Sequence, residues 1–480
     1  VLAELLPEIL LIGAALLLVL LQGFCGRDAC AKLSGYISLA ACGGALLLVS
    51  LHSGAGVERV LIPEIIKLDA FSLFFKLLFL TLSFLVILGS LDAVKRYRMG
   101  GEYYTMLLFT TFGMLIASMA VDLAVLYIAV ELATISTFAL AAFRKDRQGA
   151  EAGVKYFVIG ALSSALVLFG ISLLYGIAGS TSLTAIAEAL GSSSGPVASL
   201  AVVFLIAGFG YKIAAVPFHM WAPDTYQGAP STVTAFLAGA TKKMAFLALM
   251  RIFIVALPGL VESWAMLFAV LAVLTMTVGN LVALVQSNIK RMLAYSSVAQ
   301  AGYVLVAFAV LSSKADLTLA AGAALLHMFV HAIMKGGAFL AVAAAGSAIA
   351  GRDISDFAGL GRRMPVTAFT LSIFLLSLAG IPFFAGFVSK FLILMASVSA
   401  GGAYIALGVL LVINSVISLY YYAKVIRVMY FEGGEVHRAE EPVMLVAALV
   451  VSAIIVLYVG IFPESAIQLA KSSAASLFTP

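Results

Sequence analysis

The chain has 480 residues, of which 63% are hydrophobic and only 11% charged, and its formal net charge is +5. A soluble domain carries roughly 25% charged residues, so a fold surrounded by water is excluded. Lipid is the solvent that suits this composition, because helices satisfy their own backbone groups and leave apolar side chains for the acyl tails.

Apolar stretches of about 20 residues predict an all-α polytopic membrane protein with about fourteen transmembrane helices. In chain order they fall near 4–23, 32–52, 68–91, 104–120, 122–143, 155–178, 198–220, 230–255, 264–286, 292–312, 317–349, 366–396, 402–430 and 442–462. The first lacks a basic leading segment and reads as a retained helix rather than a cleaved signal. No stretch between helices is long enough for a soluble domain. The cysteines Cys25, Cys30 and Cys42 form no CxxC pair and have no histidine nearby, so they give neither a metal site nor a disulfide framework. The positive charge forms no polybasic run, which leaves no reason to expect nucleic acid. It is distributed by side instead. Loops after odd-numbered helices carry seventeen lysines and arginines, Arg98, Arg144 and Lys290 among them, whereas the opposite side has Arg59, Lys67, Lys314 and Lys471. Basic loops stay in the cytoplasm, so both termini are expected on the non-cytoplasmic side.

Two segments interrupt the apolar pattern, GYKIAAVPFHMWAPDTYQGAP at 210–230 and SLAGIPFFAGFVSKF at 377–391. Each sets a proline (Pro217, Pro382) in an otherwise continuous apolar helix, with a lysine close by. A mid-helix proline frees a backbone carbonyl, tolerated in a membrane where protein or water re-satisfies it. Matched interruptions in two halves of a chain point to a transporter built from inverted repeats; two ordinary packing kinks are the alternative.

Charges inside the predicted helices are Lys76, Glu131, Lys212, Lys242, Lys243, Arg251, Lys335 and Lys390. Each costs about 2.5–3.5 kcal/mol at the bilayer centre on insertion scales, so it should face protein or water. Arg251 is close enough to its helix end to snorkel to the interface, and Lys76 is open to either reading. Glu131 is the one acid in mid-helix, so a lysine on a neighbouring helix is its natural partner. Such a pair either pins two helices together or loads and unloads a proton, since burial and a carboxylate pull a lysine in opposite directions. His327, His331 and Lys335 recur every four residues and share one helix face, as a wet proton path requires. No carboxylate or cysteine accompanies them, which argues against a metal.

The stretches PFHMWAPDTYQGAP (217–230), NIKRMLAYSSVAQAGY (288–303) and SLAGIPFFAGFVSKF closely resemble subunit N of proton-pumping NADH–quinone oxidoreductase, respiratory complex I, whose wider family includes cation/proton antiporter subunits. The resemblance runs from the third helix to the last. It implies fourteen helices, with three N-terminal ones (1–103), inverted five-helix repeats at 104–256 and 257–430, and a final helix in 431–480. It also implies roles: Glu131 as the helix-five glutamate, Lys212 as its broken-helix partner, Lys242 as the connecting lysine and Lys390 as the terminal one. Lys243 has no clear counterpart. His327, His331 and Lys335 look more like the related L and M subunits. The chain carries no haem, iron–sulfur or phosphate-loop motif, so flavin, iron–sulfur clusters and quinone are expected in partner subunits of the L/M type and the small K/J/A type. The electron donor, NADH, F(420)H(2) or ferredoxin, is left open, as is an antiporter subunit without a redox partner.

Overall fold

The computed structural model describes residues 2–24, 26–53, 58–96, 99–191, 195–313, 316–433 and 437–478; Cys25, Arg98 and Lys314 lie outside them. Within these, eleven helices are long and apolar enough to cross a membrane. In chain order the helices are α1 (Leu6–Leu21), α2 (Arg27–Ser53), α3 (Ala70–Ala93), α4 (Gly100–Met119), α5 (Leu123–Ala141), α6 (Arg147–Ala178) and α7 (Leu183–Leu190). There follow α8 (Pro196–Ile213), α9 (Trp221–Gly228), α10 (Ser231–Phe236), α11 (Lys242–Met250), α12 (Val261–Leu284), α13 (Ile289–Val310) and α14 (Leu317–Ala345). The last are α15 (Leu360–Arg363), α16 (Pro365–Ala379), α17 (Ala385–Ala400), α18 (Ala403–Phe431), α19 (Val443–Ile461) and α20 (Glu464–Ala475).

The expected span at 366–396 is two helices, α16 and α17. The span at 230–255 is one helix, Ser231–Ala256, in which π-turns at Leu237–Thr241 and Arg251–Ala256 flank α11. Outside the expected spans lie the short helices α7, α9 and α15, the 12-residue α20, and an antiparallel hairpin of β1 (Arg59–Ile62) and β2 (Ile66–Leu68). The hairpin joins the helices through a bridge from Ile66 to Ala120.

Helix ends are fastened by side chains. Asp69 caps α3, accepting from the Ser72 amide at 2.8 Å while the Ser72 hydroxyl accepts from the Asp69 amide at 2.9 Å. Asp122 and Asp146 cap α5 and α6 with one bond each, accepting from the Val125 and Gly149 amides at 2.9 and 2.7 Å. Helices α12 and α13 meet most closely where glycines allow it. A β-carbon on Gly279 would lie 2.6 Å from the Ala299 amide nitrogen, and one on Gly302 would lie 2.5 Å from that of Met276. Without lipid exclusion to drive helices together, this backbone approach is the attraction.

Both interruptions are real, but proline does not cause them. Helix α8 stops at Ala214, which takes the left-handed conformation (φ +56°), and α16 stops at Gly380 (φ +88°). Pro217 and Pro382 come after the helix has already ended, in a position where they block its resumption. The carbonyls left free are taken up inside the protein. Gln300 Nε2 donates to the Leu378 carbonyl at 3.1 Å, and at the first break Trp221 Nε1 adds a bond at 2.9 Å to the Tyr211 carbonyl, which also accepts from the Ala214 amide.

Candidate functional site: a file of buried charges

Lys212 lies in the last turn of α8, just before the first break, and its side chain is 6% exposed. Its Nζ donates to Glu131 Oε1 of α5 at 3.0 Å. The Ser164 hydroxyl of α6 donates to the same carboxylate oxygen at 2.6 Å. Lys212 also reaches Thr134 Oγ1 and Ser164 Oγ, each at 3.3 Å. One carboxylate and two hydroxyls therefore hold one ammonium at the end of a broken helix.

Lys242 and Lys243 open α11, immediately after the first π-turn. Lys242 Nζ donates to Ser297 Oγ of α13 at 3.2 Å and stands 5.6 Å from the ring centre of Tyr226. Lys243 Nζ donates to the Ala238 carbonyl at 2.7 Å. On α14, Lys335 donates to the Leu293 carbonyl at 3.2 Å and to Ser296 Oγ, with Tyr422 beneath it at 6.0 Å. The rings of His327 and His331 lie parallel, 6.1 Å apart, as their four-residue spacing predicts. His327 Nδ1 bonds Ser389 Oγ of α17 at 2.9 Å. Across the second break, Lys390 Nζ donates to the carbonyls of Leu378 and Ala379 at 2.8 and 3.3 Å and to Ser415 Oγ at 2.8 Å. It also stands 4.9 Å from the Tyr303 ring, itself 6.2 Å from His327. The carbonyls freed by the break are the ligands of the lysine beside it.

Two other charges behave differently from expectation. Arg251 does not snorkel: it is 2% exposed, and its two Nη atoms hold the Asp69 carboxylate at 2.8 and 2.9 Å. The cap of α3 puts that carboxylate within reach, so the guanidinium is satisfied inside. Lys76 pairs with Glu8 of α1 at 2.8 Å, both almost wholly buried. Lys290 is not a loop residue exposed to water. It is 2% exposed and donates to the carbonyls of Ala229 and Gln227 at 2.6 and 3.1 Å. Sequence reasoning also missed the hydroxyl and aromatic partners, Ser164, Ser296, Ser297, Ser389, Ser415 and Tyr303. Their signal was present as serines in apolar helices, which are indistinguishable by sequence from serines that bond their own backbone.

Among the described residues no group of three or more histidine, cysteine or carboxylate side chains stands together as a metal site would require, and Cys30 and Cys42 are buried free thiols.

The fold and its interior define a polytopic membrane protein with ionisable groups linked across broken helices. The chain belongs to the NADH:quinone oxidoreductase/Mrp antiporter transmembrane family, whose profile matches residues 120–418. It is similar to F(420)H(2) dehydrogenase subunit N of Methanosarcina mazei, at 42% identity over 490 residues and 98% of each chain. It is similar too to NADH-quinone oxidoreductase subunit N of Moorella thermoacetica, at 43% identity over 420 residues and 86% of each chain. Among solved structures, a chain of respiratory complex I from Thermus thermophilus, solved with bound aureothin, superposes with a TM-score of 0.81 at 31% identity. That match covers 97% of this chain and 99% of the other. The likeness to subunit N seen in the three motifs thus extends over the whole chain.

Proposed function

We propose that this chain is a proton-translocating membrane-arm subunit of a redox-driven quinone oxidoreductase-type complex. The observation that carries the reading is the ammonium of Lys212, held by Glu131 at a helix break and followed by further buried lysines and histidines toward a second break. A carboxylate stabilises the protonated lysine. Drawing Glu131 away, or neutralising it, releases that proton to a water-bridged path through Lys242, then Lys335, His331 and His327, to Lys390 and the outside. The fourteen spans are counted by taking α16 and α17 as one broken helix, the 16-residue α1 as a short span and the 20-residue α4 as a less apolar one. Residues 104–256 and 257–430 then form two inverted repeats, with 1–103 and 431–480 flanking them. Seventeen basic residues against four put both termini outside a prokaryotic plasma membrane.

The signal reaches Glu131 from partner subunits of the L/M and K/J/A types, and flavin, iron–sulfur clusters and quinone belong to partners. The relatives include subunit N of an F(420)H(2) dehydrogenase and of NADH-quinone oxidoreductases at 42% and 43% identity, and the cofactors of co-purifying subunits decide between the two donors. Glu131→Gln and Lys212→Met, introduced into the assembled complex in membrane vesicles, are expected to lower donor-driven proton translocation at least about tenfold. Unchanged proton-to-electron stoichiometry in both variants overturns the reading. An antiporter subunit, by contrast, moves protons on an ion gradient with no electron donor present.

A further inference from the structure

Lys242 and Lys243 are consecutive, so they leave their helix on different sides. Lys242 faces α13 and its Ser297. Lys243 lies one turn beyond Gly239, and that side of the helix is pressed against α14. A β-carbon on Gly239 would meet the flexible Leu82 side chain of α3 and come 3.1 Å from the backbone carbonyl of Ala332, next in the chain to His331. The π-turn shifts the backbone hydrogen-bond register by one residue and leaves the Lys243 ammonium donating to the Ala238 carbonyl at 2.7 Å. His331 and His327 each present a buried Nε2 with no hydrogen-bond partner. Lys335, by contrast, is served from α13, where Ser296 adjoins the Ser297 that holds Lys242.

We propose that Lys243 is itself a proton carrier, delivering to Nε2 of His331 and giving the relay a second lane beside the Lys242–Ser297/Ser296–Lys335 route. This rests on the proton-translocation reading above. In the step an N–H bond of the Lys243 ammonium breaks, and its electron pair stays on Nζ. A new N–H bond forms on His331 Nε2, directly or through one water, and the imidazolium passes its charge toward His327. Lys243 is refilled from Lys242 or from water, and no other reactant is consumed.

The test uses the assembled complex in membrane vesicles, driven by its own electron donor, with pumping normalised to the amount of complex. Lys243→Met removes a lone buried ammonium, which should ease rather than hinder assembly. Lys243→Gln is the second variant and keeps a donor for the Ala238 carbonyl. Both are expected to lose at least about tenfold in proton translocation, well inside what a positioned acid–base group contributes. Lys243→Arg supplies a fixed cation that does not release a proton, and the same loss is expected. Wild-type pumping in the Met and Gln variants overturns the proposal. Wild-type pumping in the Arg variant overturns it too, since a fixed charge then suffices. Glu131→Gln, run in parallel, separates the two readings. If it pumps normally, the translocation reading itself fails; if it alone is impaired, only the role of Lys243 falls.

Discussion

The buried lysines are held in two ways. Lys212 has a carboxylate at 3.0 Å, whereas Lys242, Lys335 and Lys390 are held by carbonyls, hydroxyls and aromatic faces. Neutral dipoles and ring faces hold an ammonium in place but do not fix its proton as a full negative charge does. Charge in the second half is thus stabilised without being locked. Tyr303 tests this. Its ring faces Lys390 at 4.9 Å, and its hydroxyl accepts from Asn280 Nδ2 at 3.0 Å. Tyr303→Phe keeps the face and loses only the hydroxyl, so translocation is expected to stay near normal. Tyr303→Leu removes a cation–π contact worth about 0.5–2 kcal/mol, and translocation in vesicles should fall by a corresponding factor. Equal rates in the two variants show that the ring face is not what holds Lys390.

At the scale of elements, each helix is stopped by a left-handed residue, Ala214 at the first break and Gly380 at the second, where Phe383 (φ +73°) is a further one, and the Gly380 position favours glycine. A β-carbon on Gly380 would lie 3.2 Å from Ser415 Oγ and 3.3 Å from both Cδ and Nζ of Lys390. Gly380→Ala therefore adds a left-handed strain of about 1–2 kcal/mol and crowds the lysine. Reduced proton translocation, with the complex lost from membranes at lower temperature, is the expected result; wild-type behaviour in both shows that the break tolerates a side chain. The first break already bears that strain at Ala214. How much of this was legible follows from the same residues. The spans could be read because burial in lipid leaves long apolar runs, and the breaks because Pro217 and Pro382 punctuate them. That α8 ends before Pro217, at an alanine, could not be read, because left-handed alanine has no sequence signature. The π-turns and the hairpin were equally hidden, since they change backbone register without changing hydrophobicity. Charged members of the file stood out because lipid makes each one costly. Arg251 was misread because its counter-ion, Asp69, is 182 residues away in sequence, and no spacing rule reaches that far.

On the proposed reading, the buried charges among the described residues divide between those in the file and those that fasten helices. The pairs Lys76–Glu8 and Arg251–Asp69 tie α3 to α1 and to the end of α11, away from the breaks, and each cation has its own carboxylate. Removing one member of a buried pair costs about 3–5 kcal/mol, because the other charge is left uncompensated, whereas replacing both with apolar residues is often neutral or stabilising. Glu8→Gln and Lys76→Met singly should therefore lower the amount of assembled complex in membranes. The double variant Glu8→Leu with Lys76→Met should restore it. Pumping per assembled complex should be unchanged in all three, unlike Glu131→Gln. The contrast is sharp because both pairs have the same chemistry, a lysine and a glutamate within 3.0 Å. They differ in setting: Glu8 and Lys76 are 3% and 1% exposed between intact helices, whereas Glu131 is 17% exposed and its lysine sits at a helix end. If the single variants at Glu8 and Lys76 lost translocation per complex as Glu131→Gln does, position relative to the breaks would not separate working charges from fastening ones.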